Sequence, residues 1–201
     1  MKIKRFTGGL LESNGYVISS DGGKDCYIID PGYHPKRYIK YVREHALAVR
    51  GIILTHHHHD HVGGARRIKD ELDCPILMHR CDVDRYREPV DGYLEDGDVL
   101  DLGDEYSKGE KLVILHTPGH TKGGICIMAA KSKVCFTGDT IFNVDLGRTD
   151  LDDGSDAEMA DSIAHIVDQW SNEITIYPGH GDPATMKTVR KINREFLDIV
   201  N

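Results

Sequence analysis

The sequence predicts an α+β fold in which two mixed sheets lie in the middle and helices cover them on the outside. Two observations support this prediction. Short apolar segments typical of β-strands occur in both halves of the chain, and segments with helical periodicity come before, between and after them. No linker, low-complexity tract or full-length repeat interrupts this pattern, so we expect a single domain over residues 1–201.

The first half of the chain begins with extended segments separated by turns and then alternates helices with strands. Asn14-Gly15 and Asp21-Gly22-Gly23 are turn sequences, which predicts a hairpin or meander at the start. Apolar residues at Tyr38, Ile39 and Val42, with basic residues between them, predict the first helix. The predicted strands are 2–6, 16–19, 26–30, 51–55 and 75–79, and the predicted helices are 35–47, 64–72 and 83–86.

The second half is richer in strands and ends in a helix. Lys131-Ser132-Lys133 forms a turn between two apolar segments, which indicates a hairpin. Ser155 is a candidate N-cap, with Glu158 three residues later as in a capping box. The predicted strands are 99–100, 111–115, 124–129, 134–137 and 174–177, and the predicted helices are 157–170 and 184–200.

Composition and charge exclude several classes of binding partner. Lys and Arg number 25 and Asp and Glu 33, so the formal net charge is -8 and no basic field favours a nucleic acid. No apolar run approaches the roughly 18 residues of a membrane helix, and the first residues do not resemble a signal peptide. We therefore expect a cytoplasmic protein that acts on a small molecule. The five cysteines form no C-x-x-C pair, so neither a disulfide framework nor a thiolate zinc site is predicted.

Three predicted strands each lead to a histidine. The strand at 51–55 is followed by His56, and two others end in Pro-Gly turns that present His120 and His180. Proline cannot continue a β-ladder, and glycine permits the sharp turn that follows. If these strands are neighbours, the three histidines meet at one edge.

The segment His56-x-His58-x-Asp60-His61 carries the ligand pattern. Side chains alternate along an extended chain, so positions 56, 58 and 60 project together, whereas His57 and His59 face away. Imidazoles and a carboxylate at this spacing suit a divalent metal ion. Four such ligands exceed what one ion with an open position accepts, which indicates two ions sharing a carboxylate about 3.5 to 4 Å apart. The seven candidate ligands are His56, His58, Asp60, His61, His120, Asp139 and His180.

These residues resemble the metallo-β-lactamase superfamily, whose motif is H-x-H-x-D-H followed by a later His, a later Asp and a final His. Asp30-Pro31-Gly32 and Gly138-Asp139-Thr140 match as well. The resemblance implies an αββα sandwich with two metal ions at the sheet edge. Imidazole and carboxylate ligands suit zinc, iron and manganese, and zinc is the first candidate. Asp30 could itself bind a metal ion, but its place in a turn favours a carboxylate that supports the ligands instead. One ion would take His56, His58 and His120, the other Asp60, His61 and His180, with Asp139 bridging.

Several segments are similar to the glyoxalase II branch, the hydroxyacylglutathione hydrolases, in a short form. They are 93–98, 138–142 and 147–150. The resemblance implies hydrolysis of a small thioester or ester, with S-lactoylglutathione as the first candidate substrate. Asp60 and Asp139 would orient the nucleophile, and Arg148 is where a substrate-binding basic residue is expected. Asp150 replaces a tyrosine that is frequent in the family, and only some twenty residues follow His180, fewer than the family's helical glutathione-binding domain needs.

Three alternatives stay open. A persulfide dioxygenase of the same superfamily would hold a single iron on His56, His120 and Asp139. A lactonase would use the same two metal ions as a thioesterase. From a different class, a metal-stabilised binding module without turnover would have a closed site, commonly with four ligands. The oligomeric state and the acyl and thiol parts of the substrate are open at this point.

Overall fold

Two six-stranded sheets form the middle of the protein in a computed structural model that describes residues 1–103 and 109–201. In the first sheet the strands follow chain order. The first, second and third strands pair antiparallel. The third to sixth strands run parallel to one another, so the third strand has one antiparallel and one parallel neighbour. The strands are β1 (Lys2–Gly8), β2 (Ser13–Ser19), β3 (Asp25–Ile29), β4 (Ala48–Leu54), β5 (Ile76–His79) and β6 (Gly92–Leu94).

The second sheet takes the remaining strands, again in chain order across the sheet. Its neighbours are antiparallel except for one parallel pair, β10 with β11. The strands are β7 (Val99–Leu102), β8 (Glu110–His116), β9 (Ile125–Ala129), β10 (Val134–Gly138), β11 (Thr175–Pro178) and β12 (Ala184–Thr185).

Helices cover the outer face of each sheet. The Ser155 side chain caps one of them by accepting a hydrogen bond from Glu158 N, as the capping pattern predicts. Among the described residues, no helix combines the length and the apolar character needed to cross a membrane. The helices are α1 (Pro35–Glu44), α2 (His59–Val62), α3 (Ala65–Leu72), α4 (Asp156–His165), α5 (Met186–Ile192) and α6 (Arg194–Val200).

Alternation along the strands divides the core into three apolar layers. Ile28 and Ile52 pack toward α1 and α3, whereas their neighbours Ile29 and Ile53 pack between the two sheets. The second sheet and α4 to α6 enclose the third layer. The predicted αββα sandwich is therefore confirmed, and all five cysteines are unpaired, as predicted.

Four predicted helices differ from the structure. The helix over 35–47 ends at Glu44, because Ala46 adopts φ 49° and the chain turns into β4. The helix over 83–86 is wrong: a 3-10 helix covers Arg80–Asp82, and a single turn follows it. Pro89 lacks the N–H that a longer helix would need and restricts the residue before it. The helix over 157–170 ends at His165, and the terminal helix breaks at Asn193.

Candidate metal centre

Strand ends from both sheets meet at one edge of the sandwich. His56 follows β4, whereas Asp139 follows β10 and His180 follows β11. Gly138 pairs with Pro178 in the parallel β10–β11 ladder, so the two strands end side by side. The structure brings all seven candidate ligands together at this edge.

A first cluster consists of three imidazoles. The ligand atoms of His56, His58 and His120 all lie within 4.8 Å of one another. His58 Nδ1 is 2.8 Å from His120 Nε2. This grouping is the first triad that the resemblance implies.

A second cluster consists of one carboxylate and two imidazoles. Asp60 Oδ2 lies 3.3 Å from His61 Nε2 and 3.3 Å from His180 Nε2. The two histidine nitrogens are themselves 3.3 Å apart. This grouping is the second implied triad.

The buried carboxylate of Asp139 lies between the two triads. Its Oδ2 is 3.5 Å from His120 Nε2 in the first triad and 3.4 Å from His180 Nε2 in the second. Its Oδ1 is 3.4 Å from His61 Nε2. One carboxylate therefore faces ligand atoms of both groups, which is the position expected of a bridge.

Hydrogen bonds behind the site fix the orientation of four rings. In each, the Nδ1 atom contacts an oxygen of the protein and the Nε2 atom points toward the other ligands, so tautomer and ring orientation are set together. The contacts are His56 to Thr55 Oγ1 (3.1 Å), His61 to Asp30 Oδ2 (3.3 Å), His120 to Arg148 O (2.7 Å) and His180 to Leu11 O (2.9 Å).

Asp30 joins two of these contacts. Its carboxylate accepts hydrogen bonds from Thr55 N at 2.7 Å and from Thr55 Oγ1 at 2.6 Å, besides the contact with His61. It is 2% exposed and adopts φ 46°. This arrangement agrees with the supporting role predicted for Asp30.

Burial and neighbouring charges separate the protonation states of the histidines. Burial holds the pKa of His56 well below its usual value, and burial together with His120 lowers the pKa of His58 to about 4. Burial also opposes charge on His61 and His180, but nearby carboxylates outweigh it. Asp139, Asp30 and Asp60 raise the pKa of His61, and hydrogen bonds to Asp139 and Asp60 raise that of His180 to about 10.

Two buried polar atoms at the centre have no hydrogen-bond partner. They are His56 Nε2 and Asp139 Oδ1, and both residues belong to the clusters described above. Buried polar atoms are seldom unsatisfied, because each such atom loses its interactions with water. A divalent cation accepts lone pairs from both kinds of atom, and imidazole and carboxylate are ligands that such ions prefer. The residues therefore fit divalent metal ions.

Comparison with known proteins agrees with this geometry. The family model of the Metallo-beta-lactamase superfamily matches residues 8–180. The chain belongs to this superfamily. An uncharacterized protein of Mycobacterium leprae is 33% identical, over 96% of this chain and 97% of that protein. The hydroxyacylglutathione hydrolase GloC of Haemophilus influenzae is 32% identical, over 86% and 88% of the two chains.

A solved structure extends the comparison to three dimensions. It is the crystal structure of TTHA1623 in a di-iron-bound form, with a TM-score of 0.83 and 27% sequence identity. The match covers 94% of this chain and 98% of that one. The metallo-β-lactamase resemblance and its fold are thus confirmed.

The sequence did not indicate Asp82, a carboxylate that supports the segments carrying the candidate ligands. Asp82 is fully buried, and its Oδ2 accepts hydrogen bonds from His57 N (3.0 Å) and Thr121 Oγ1 (2.9 Å). Its Oδ1 accepts another from Gly123 N. Asp82 therefore ties the His56–His61 segment to the turn that carries His120. No recognisable motif surrounds Asp82, so no sequence pattern indicated this role.

The side-chain alternation predicted for positions 56 to 60 does not extend beyond His58, because α2 begins at His59 and the chain is no longer extended there. His57 Nδ1 lies 3.1 Å from Asp82 Oδ2 and 3.7 Å from the buried Asp153. His57 therefore supports the ligand segment. His59 is exposed and stands at the border of the site.

A cavity of about 520 Å³ opens onto the ligands. Its apolar wall includes Leu11, Phe142 and Leu146, and Arg148 lies on its rim. The Arg148 guanidinium forms two hydrogen bonds with Asp150, at 2.7 and 2.8 Å. The cavity can hold a small molecule with its reacting group against the metal ligands.

Proposed function

We propose that this protein is a binuclear metal-dependent hydrolase of a small thioester or ester, with S-lactoylglutathione as the first candidate substrate. The observation that carries the proposal is the Asp139 carboxylate between two complete ligand triads at the floor of an open cavity. The similarity to a hydroxyacylglutathione hydrolase supports the reaction class, and the similarity to a di-iron-bound structure supports two metal ions.

The first triad would hold one ion and the second triad the other, with Asp139 shared. Zinc is our first candidate, and iron or manganese also suits this ligand set. When bound, such ions lower the pKa of water toward about 7 and polarise a carbonyl group. A structural site would be closed by four protein ligands, whereas this one faces a cavity.

The chain's own carboxylates have a second task in this proposal. Histidine neighbours outweigh burial and keep the pKa of both Asp60 and Asp139 below the usual range, so both are ionised near neutral pH. An ionised carboxylate accepts a hydrogen bond from the attacking water and orients it toward the acyl carbon. The water oxygen bonds to that carbon and the C–S bond breaks. One water proton goes to the leaving sulfur and the other is released to solvent, so the products are a carboxylate and a thiol.

Arg148 is our candidate for a substrate contact. Its side chain is 61% exposed on the cavity rim, where Asp150 holds it through two hydrogen bonds. A guanidinium group binds carboxylates through two parallel hydrogen bonds. A substrate carboxylate can therefore replace that of Asp150 with the guanidinium group in the same orientation. The backbone oxygen of Arg148 holds His120 and needs no particular side chain.

The deciding experiment measures metal content per chain together with hydrolysis of S-lactoylglutathione by freshly purified protein. We expect two metal ions and turnover that falls at least roughly a hundredfold in Asp139→Ala. Asp161→Ala, on the exposed face of α4, is the matched control and should retain activity. Full turnover by Asp139→Ala with both ions bound would contradict the proposal.

Two other outcomes separate the alternatives. Two ions without turnover of this substrate would exclude S-lactoylglutathione and direct the assay to other thioesters and to lactones. One iron per chain, with oxygen uptake on glutathione persulfide, would replace the proposal by a dioxygenase that uses His56, His120 and Asp139. The complete second triad is the observation that favours two ions over one.

A further inference from the structure

A second cleft lies beside the cavity that opens onto the ligands. Its volume is also about 520 Å³, and residues of α2, α3 and the segment after β5 line it. His59 lines both the cleft and the cavity, so the two spaces are adjacent. None of the seven ligands lines this cleft, which therefore has no part in holding the metal ions.

The lining of the cleft is basic in a chain whose net charge is -8. Arg66, Arg85 and Arg87 face a single carboxylate, that of Glu88. Arg66 is already engaged, with Asp70 at 3.0 Å and Glu88 at 3.6 Å. Within the described residues, the exposed guanidinium groups of Arg85 and Arg87 have no hydrogen-bond or ion-pair partner. Two cations in the same cleft are thus free to bind an anion.

A buried donor in the cleft wall is also uncommitted. Tyr86 lines the cleft and is only 7% exposed, and its hydroxyl has no hydrogen-bond partner. Burial raises the pKa of this hydroxyl to about 12, so it keeps its proton. Buried hydroxyls normally find a partner. The hydroxyl oxygen is covered by the protein, so a ligand in the cleft would reach it only if the Tyr86 ring turned outward.

We propose that this cleft binds the anionic end of the substrate, a carboxylate or a phosphate on the thiol portion, while the acyl group lies against the metal ligands. This inference rests on the proposed hydrolysis for the position of the reacting group. Arginine binds both kinds of oxyanion through paired N–H donors. The adjacency through His59 allows one extended molecule to occupy both spaces.

Binding of unreactive thioethers tests the cleft without turnover. S-methylglutathione and its dimethyl ester differ in two carboxylates, and S-methyl-4′-phosphopantetheine and S-methylpantetheine differ in one phosphate. We expect the protein to bind one anion-bearing member at least roughly tenfold more tightly than the partner that lacks the anion. The pair with the larger preference identifies the anion as carboxylate or phosphate. Equal affinities within both pairs would overturn the proposal.

Two double variants test whether the cleft causes the preference for anionic thioethers. Arg85→Ala with Arg87→Ala should remove most of it, because both free guanidinium groups of the cleft are removed and only the contribution of Arg148 to a carboxylate preference remains. Lys40→Ala with Arg67→Ala removes the same charge from α1 and α3 outside the cleft and should leave it unchanged. An equal loss in both double variants, or no loss in the first, would contradict the assignment.

A substrate without an anionic group distinguishes a failure of the cleft proposal from a failure of the proposed hydrolase function. The lactoyl thioester of N-acetylcysteamine has no anionic group, so Arg85→Ala with Arg87→Ala should hydrolyse it at the unaltered rate. A rate that falls with the binding preference would show general damage to the site and overturn the role of the cleft. If the unaltered protein hydrolyses no thioester and no ester, the hydrolase proposal fails, and the thioether affinities still decide whether the cleft binds anions.

Discussion

His58 Nδ1 lies 2.8 Å from His120 Nε2, although the two residues are 62 positions apart in the chain. Burial together with the neighbouring His120 keeps His58 uncharged near neutral pH, because the pKa of His58 falls to about 4. Without a cation, one ring must donate its N–H to the other. A divalent ion would instead use both lone pairs, so each ring is needed to hold it.

We therefore expect His120→Ala to lose one metal ion per chain and to keep the other on Asp60, His61 and His180. Metal analysis after desalting measures this directly. His165→Ala is the matched control, because His165 is an exposed histidine on α4, and it should retain both ions. Two ions in His120→Ala would show that the first triad does not hold one.

Removal of the metal ions should abolish hydrolysis and leave the chain folded. Hydrophobic side chains of the strands and helices pack in three layers, whereas the ligands lie at the strand ends, so we expect the core to persist without the ions. Trp170, the single tryptophan, lies in the third layer and reports its integrity by fluorescence. We expect an unchanged emission spectrum after chelation and restored turnover after metal is added back. Cooperative unfolding on chelation at 25 °C would indicate a structural site instead.

Several of the candidate ligands follow a local rule in the sequence. A strand ends, a turn begins, and a histidine or aspartate occupies the first positions beyond it, as for His56, Asp139 and His180. β4 belongs to the first sheet, whereas β8 and β11 belong to the second and are not neighbours within it. The assumption that the three histidine-bearing strands are adjacent was therefore wrong, and the packing of the two sheets against each other brings these strand ends together.

Residues that act through distant contacts were not predictable in this way. Asp82 is 41 positions from Gly123, and its environment depends on how the two sheets close. The terminal helix breaks at Asn193 because that side chain contacts the segment at Phe142, which helical periodicity over 184–200 does not reveal. Tertiary hydrogen bonds decided both cases.

Asp82→Asn should destabilise the protein by about 3 kcal/mol at pH 7, because it removes a buried carboxylate that accepts several hydrogen bonds. Burial opposes the charged form, but His57, Thr121 and Gly123 outweigh it and lower the pKa of Asp82. The lowered pKa means that the carboxylate stabilises the fold fully above its unfolded pKa and less as pH falls through the folded one.

Urea unfolding at several pH values measures this dependence. The difference in the free energy of unfolding between Asp82→Asn and the unaltered protein should be constant above about pH 5 and shrink below about pH 4. Asp84→Asn, an exposed neighbour, should show no such difference. A difference that grows as pH falls would contradict this assignment of sign.

Asn193→Ala should cost more stability than the loss of a helix cap alone. Asn193 Oδ1 accepts a hydrogen bond from Phe196 N at the start of α6, and its Nδ2 donates to Phe142 O and Asp145 O. Since Phe142 lines the cavity, the same side chain positions the wall of the site. Thr185→Ala, which removes only the cap of α5, should cost about 1 kcal/mol, and Asn193→Ala about 2 to 3 kcal/mol. Thermal unfolding compares the two variants.

We also expect a higher KM in Asn193→Ala than in Thr185→Ala, because only the former loosens the cavity wall. Equal KM values would show that Asn193 stabilises the fold and does not position the cavity wall.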